Sequence, residues 1–183
     1  MQISRLASDP ETIAALSEIL VEVVANGGSV SFMHPLAPHV AADFWDKSLG
    51  AADAGKRVVL GAMIEGGLAG TVTLDLDTPP NQPHRADIAK LMTGVRHRGR
   101  GVARALMLEA ERIALAERRI LLTLDTAAED GAASLYEALG YEFAGEIPDY
   151  AYKPLGGLTA TRLYFKRIGG AAGTSPGASQ ASR

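Results

Sequence analysis

The sequence predicts an α/β domain built on one mixed sheet, and three features carry that expectation. Two stretches, about 10–26 and 101–118, repeat apolar residues at three- and four-residue spacing, the period of a helix with one buried face. Between them the period changes in V-V-L-G-A-M-I and L-A-G-T-V-T-L-D-L, which flank Glu65-Gly66-Gly67, the composition of a tight hairpin turn. After the second helix comes an apolar run from Ile120 to Asp125, of strand length and apolar enough for a buried parallel strand. Read in full, the chain gives the order β-α-α-β-β-β-α-β-α-β-β.

Each element has its own signals. Met1 to Ser8, with Ile3 and Leu6, reads as a short first strand. Asp9 is suited to cap the following helix, with Pro10 at its first position and Glu11 in its first turn. Ile13, Leu16, Leu20 and Val24 should face the core, and Gly27-Gly28 ends the helix. Ser29 to Pro38 contains two prolines and no period, yet it is apolar for a loop, so Phe32 and Met33 either pack on the core or line a pocket. His39 to about Ala54 reads as a second helix, with Trp45 assigned to the core.

The proline-rich loop Asp77 to His84 ends the ladder, and Arg85 to Thr93 is the next strand. Leu91 and Met92 are adjacent apolar residues that break its alternation, as a bulge would. A right-handed crossover through the 101–118 helix sets this strand beside the Ile120 strand. A short helix from about Gly131 to Leu139 follows, then strands over Tyr141 to Ile147 and Thr159 to Ile168. The domain is expected to end at 168, and the Gly/Ala/Ser-rich 169–183 to be a disordered tail.

Composition narrows the function classes. At 183 residues, with 47% hydrophobic and 21% charged residues and a net charge of −3, the chain suits one soluble domain and not a basic nucleic-acid binder. It has no cysteine, which excludes disulfides, thiolate metal sites and a cysteine nucleophile. His34, His39, His84 and His97 show no metal spacing, so no metal is expected. No apolar run is long enough to span a membrane and the N-terminus lacks a signal-peptide core, so no membrane association and a cytoplasmic location are the default expectation.

Charge is concentrated at one junction. Arg96, Arg98, Arg100 and Arg104 surround Gly99 and Gly101 where a strand passes into a helix, a composition suited to a pyrophosphate at a helix N-terminus. A solvated turn is the plainer reading, and a dinucleotide-binding turn fits poorly because Arg104 stands where a third glycine belongs. The pattern Arg98-x-x-Gly101-x-Ala103 resembles the acetyl-CoA-binding motif of the GCN5-related N-acetyltransferase (GNAT) family. Ala132 to Tyr141, A-A-S-L-Y-E-A-L-G-Y, is similar to the family's second recurrent motif. Further stretches, among them H-R-A-D-I-A-K-L-M, L-L-T-L-D-T and G-E-I-P-D-Y, look like the tabtoxin-resistance type of acetyltransferase.

That resemblance implies a single-domain GNAT fold with flanking helices and two splayed parallel strands. It also implies acetyl-CoA as cosubstrate and transfer to the primary amine of a small molecule, such as an amino-acid-like compound or toxin. Leu91, Met92 and Thr93 would contact the pantetheine arm through their backbone, and an amide at Leu91 or Met92 would face the developing oxyanion. The pyrophosphate would rest on Arg98, Gly99, Arg100, Gly101, Val102, Ala103 and Arg104. Tyr136 would be the general acid toward the sulfur, although an aromatic there could simply pack; Asp125 would hold or deprotonate the amine, or merely cap a turn. Asp87 and Glu129 are weaker candidates for the base. Phe32, Met33 and Tyr150 would wall the acceptor site. The last strand, with Leu163, Tyr164 and Phe165, could pair across a homodimer or close the monomer's sheet. The competing class is an acyl-CoA-binding sensor or interaction domain without turnover.

Overall fold

Seven strands form one sheet: β1 (Gln2–Arg5), β2 (Arg57–Ile64), β3 (Gly67–Asp75), β4 (Arg85–Thr93), β5 (Leu121–Ala127), β6 (Glu142–Tyr152) and β7 (Leu158–Arg167). Their spatial order is β1-β2-β3-β4-β5-β7-β6. Only the β4–β5 pair is parallel among the described strands. Helices α1 (Pro10–Ala25), α2 (Pro38–Asp53), α3 (Val102–Ala116) and α4 (Ala133–Ala138) complete the predicted order. The computed structural model describes residues 1–169, so the tail expected over 169–183 lies almost entirely outside the described residues.

Local chemistry fixes the elements as their residues suggest. Asp9 caps α1, accepting from the Thr12 amide at 2.9 Å and the Thr12 hydroxyl at 2.7 Å. These bonds hold its carboxyl below the ordinary carboxylate range, so the charged cap is present above that range and is lost only as pH falls through it. The helix closes with Gly28 donating to the Val23 carbonyl at 2.9 Å and Gly27 to Val24 at 3.0 Å, the paired bonds of a Schellman end. At the β2–β3 hairpin, Glu65 (φ 52°) and Gly66 (φ 80°) are both left-handed, as a two-residue type I′ turn requires.

Two cores lie on opposite faces of the sheet. On one face α3 buries Val102, Leu106, Met107, Ala110, Ile113 and Ala114 against β2, β3 and β4. On the other, α1 and α2 enclose Leu16, Leu20, Trp45 and Leu49, each fully buried, together with Met92. Trp45 takes its predicted place in the core. Trp45→Ala is expected to destabilise the fold by ~3–5 kcal/mol, because it removes a fully buried indole from the α1/α2 core. Urea unfolding monitored by circular dichroism measures this, and a loss below about 1 kcal/mol would contradict the packing described.

The C-terminal part departs from expectation. The segment around Asp149 to Tyr152 was expected to be loop, but β6 continues to Tyr152. Its ladder with β7 is interrupted between Ile147 and Ala151, where Asp149 has φ 51°. Pro148 is tolerated because β6 is an edge strand. Strand β7 lies between β5 and β6, so it closes the monomer's sheet. Ile120, expected to begin the buried strand, precedes β5 and is 52% exposed.

Candidate active site

The site begins where the sheet comes apart. Strands β4 and β5 pair only through Arg85, Ala86 and Asp87 opposite Leu121, Leu122 and Thr123. Arg85 braces this short seam, donating to Asp87 and, at 2.8 Å, to the Thr123 hydroxyl, which itself bonds to Asp87. Asp87 is thereby engaged in structure. Beyond it the strands diverge, and a cavity of about 470 Å³ occupies the gap.

A bulge turns β4 at this point. Pairing with β3 steps from Thr71↔Met92 to Thr73↔Ala89, so Lys90 and Leu91 together face one β3 residue, and Lys90 takes φ 51°. The extra residue shifts the alternation: Ile88 and Leu91, three apart, share the α3 face, while Met92 enters the α1/α2 core. Leu91 and Thr93 line the cavity, whereas the Met92 side chain is only 2% exposed and leaves its backbone as the usable part.

At one end of the cavity the chain passes through a 3₁₀ turn, Val95–His97, into α3. Glu22 of α1 anchors the turn by accepting from the Val95 amide at 2.9 Å. Gly99 (φ 71°) and Gly101 (φ 78°) are left-handed, and a Cβ added to either would point into open space. Among the described residues no acceptor engages the amides of Gly99, Arg100, Gly101, Val102, Ala103 and Arg104. Six consecutive free N–H groups at the start of a helix form an anion cradle, and Arg98 and Ala103 extend it to the cavity wall. Arg100 lies 3.4 Å from His97 Nδ1, Arg104 is exposed, and Val102 is buried under the cradle.

Two titratable groups expected from the sequence also line the cavity. Asp125 lines the cavity near the end of β5 and accepts from the Thr161 hydroxyl at 3.3 Å. Tyr136 of α4 also lines it, its ring 6.0 Å from Tyr141 and 5.8 Å from Tyr164. Burial, with the Asp125 and Asp130 carboxylates nearby, pushes its phenol up to about 12, so it carries its proton at neutral pH. Glu129 is paired to Lys153 at 3.0 Å and is absent from the cavity wall.

The loop joining α1 and α2 contributes to the cavity wall and is held at three points. The Ser29 amide donates to Asp130 at 3.3 Å, Lys90 donates to the Ser31 hydroxyl at 3.0 Å, and the His34 amide donates to the Pro154 carbonyl at 3.0 Å. The cavity is therefore lined by residues 27–31 of this loop, with Phe32 packed edge-on to Phe44 and Met33 turned outward. Tyr150 is 58% exposed on β6. None of Phe32, Met33 and Tyr150 lines the cavity. Lys90 and Asp130, which the sequence does not single out, do line it, as do Ser29, Val30 and Ser31 of the loop expected to pack on the core or line a pocket. A lysine within a strand reads as solvent-facing, and only the bulge, signalled by adjacent Leu91 and Met92, turns it toward the gap.

The family model for the GNAT acetyltransferases matches residues 28–141, and the chain belongs to that family. Solved structures agree in fold. The ribosomal-protein-alanine N-acetyltransferase of Brucella melitensis superposes with a TM-score of 0.80 at 19% identity, over 92% of this chain and 100% of that one. A GNAT acetyltransferase of Streptococcus pneumoniae gives 0.71 at 23% identity, over 91% and 100%. The protein yncA of Salmonella typhimurium, solved with its cofactor acetyl-CoA, gives 0.74 at 14% identity, over 95% and 98%. Among the described residues no helix is long and apolar enough to cross a membrane, and no group of three or more His, Cys, Asp or Glu converges as a metal site.

Proposed function

We propose that the protein transfers the acetyl group of acetyl-CoA to the primary amine of a small molecule. The observation that carries this reading is the single cavity connecting the free-amide cradle at the start of α3 with Asp125 and Tyr136 across the split in the sheet. A pyrophosphate suits the cradle, which offers amides without acceptors and open space above Gly99 and Gly101. An extended arm suits the unpaired lip of β4 beyond Asp87. When bound, acetyl-CoA supplies an activated acetyl thioester.

The chain's own groups would do the rest. Asp125 holds the acceptor as its ammonium and passes one proton to solvent, freeing the nitrogen lone pair. As the C–N bond forms and the C–S bond breaks, the Leu91 or Met92 amide faces the developing oxyanion. The Tyr136 phenol protonates the departing sulfur and is recharged by the second proton that the nitrogen loses. The balance is one ammonium and one thioester giving one amide, one thiol and one released proton.

The test mixes the full chain with acetyl-CoA and a panel of small amines, then follows free thiol with a chromogenic disulfide. Because the protein has no cysteine, it contributes no thiol background. Amine-dependent thiol release is expected. Saturable acetyl-CoA binding with no release across the panel would instead favour a sensor or interaction domain.

A further inference from the structure

Lys90 is a charged cavity-lining residue to which cofactor binding and proton transfer assign no role. It occupies the extra position of the β4 bulge at φ 51°, and its ammonium bonds to Ser31, which itself has φ 73°. Two non-glycine residues in the left-handed region, 59 positions apart in sequence, thus meet in the cavity wall. Such backbone states persist only where the surroundings enforce them. The ammonium also lies 5.9 Å from the Phe32 ring centroid and 5.6 Å from that of Phe44, so its stem and head are held against aromatic surface. No carboxylate lies within ion-pair distance of it among the described residues. Burial pulls its pKa below the ordinary lysine value, while the Asp125 carboxylate opposes that shift. A bound anion would oppose it further.

We infer that Lys90 is the anchor for a carboxylate on the acceptor, making the substrate class small amino acids and like compounds that carry an amine and a carboxylate together. The cavity holds both signs of charge: Lys90 from the bulge, and Asp125 with Asp130 from the opposite lip. An acceptor bearing one group of each sign leaves neither lip unmatched, whereas a simple amine leaves the Lys90 ammonium without a counter-ion. The Ser31 bond fixes where the ammonium sits, so the spacing between the acceptor's two groups is also selected. Arg98, the other cation on the wall, stands at the cradle end and is assigned to phosphate.

This inference rests on the acetyltransferase reading, and its test separates the two. Thiol release from acetyl-CoA is measured with the common L-amino acids and, in parallel, with their carboxamides, for the parent and for Lys90→Met and Lys90→Arg. Methionine keeps the stem packed on Phe32 and Phe44 while removing the charge; folding of each variant is confirmed by its melting curve. The parent is expected to prefer carboxylate over carboxamide by ~10- to 100-fold in kcat/KM, the usual range for a hydrogen bond to a charged group. In Lys90→Met that preference should collapse toward one, mainly through KM, and Lys90→Arg should restore part of it. Turnover of carboxamides or plain amines at least as good as that of amino acids would overturn the role of Lys90 and leave the acetyltransferase standing. A preference unchanged in Lys90→Met would do the same. Absence of thiol release with every amine would remove both readings.

Discussion

Acetyl-CoA is expected to raise the melting temperature of the parent chain and to leave that of an Arg98→Glu, Gly101→Glu double variant unmoved. A ligand at a hundredfold excess over its Kd stabilises the folded state by ~2.7 kcal/mol. The variant should lose all of it, since two carboxylates would stand where six amides now offer positive dipole ends. Its own fold should survive. Arg98 is exposed, and a Cβ at Gly101 meets no atom within 4 Å, so the intrinsic cost is the ~1–2 kcal/mol of placing an L-residue at φ 78°. A normal acetyl-CoA shift in the folded variant would show that the cradle does not bind the cofactor.

Tyr136→Phe is expected to lower kcat about 100-fold or more while leaving acetyl-CoA binding in place, since general acid catalysis contributes at least that order. Phenylalanine preserves the ring contacts with Tyr141 and Tyr164, which separates the proton from the packing. The pH profile gives a second readout. With its pKa raised to about 12, the phenol stays protonated from pH 6 to ~10, so ionisation of Tyr136 imposes no alkaline fall in that window. Activity should rise with pH as the amine loses its proton. The variant should show the same shape at reduced height. A profile whose alkaline limb below pH 10 disappears in Tyr136→Phe would contradict the acid role.

Much of the stretch that the resemblance assigns to the cofactor was legible in form because it is written in contiguous sequence. Strand, bulge, glycines and helix start all lie between Arg85 and Ala103, and each leaves a local mark: a broken alternation, a left-handed glycine, a run of arginine. The fold was legible for a related reason. The parallel strand, the capped α1 and the type I′ hairpin are specified by period and turn residues within a few positions.

The rest of the cavity wall was less so, because it is assembled from distant segments. That Ser31 meets Lys90, Ser29 meets Asp130 and His34 meets Pro154 depends on how the α1–α2 loop drapes over the sheet, which no local pattern encodes. Phe32 and Met33 draw attention to this loop, but the residues lining the cavity are Gly27 to Ser31 just before them. The extent of β6 was missed because Pro148 reads as a terminator, whereas an edge strand has a side where a missing N–H costs nothing.

The three-residue seam between β4 and β5 has a consequence beyond making room. Four strands lie on one side of it and three on the other, so the sheet is two panels joined at one corner. An extended arm bonded along the open lip would act as the missing length of joint. The acetyl donor would then brace the two panels against each other, and the stability of the folded chain would rise with the donor's concentration relative to its Kd.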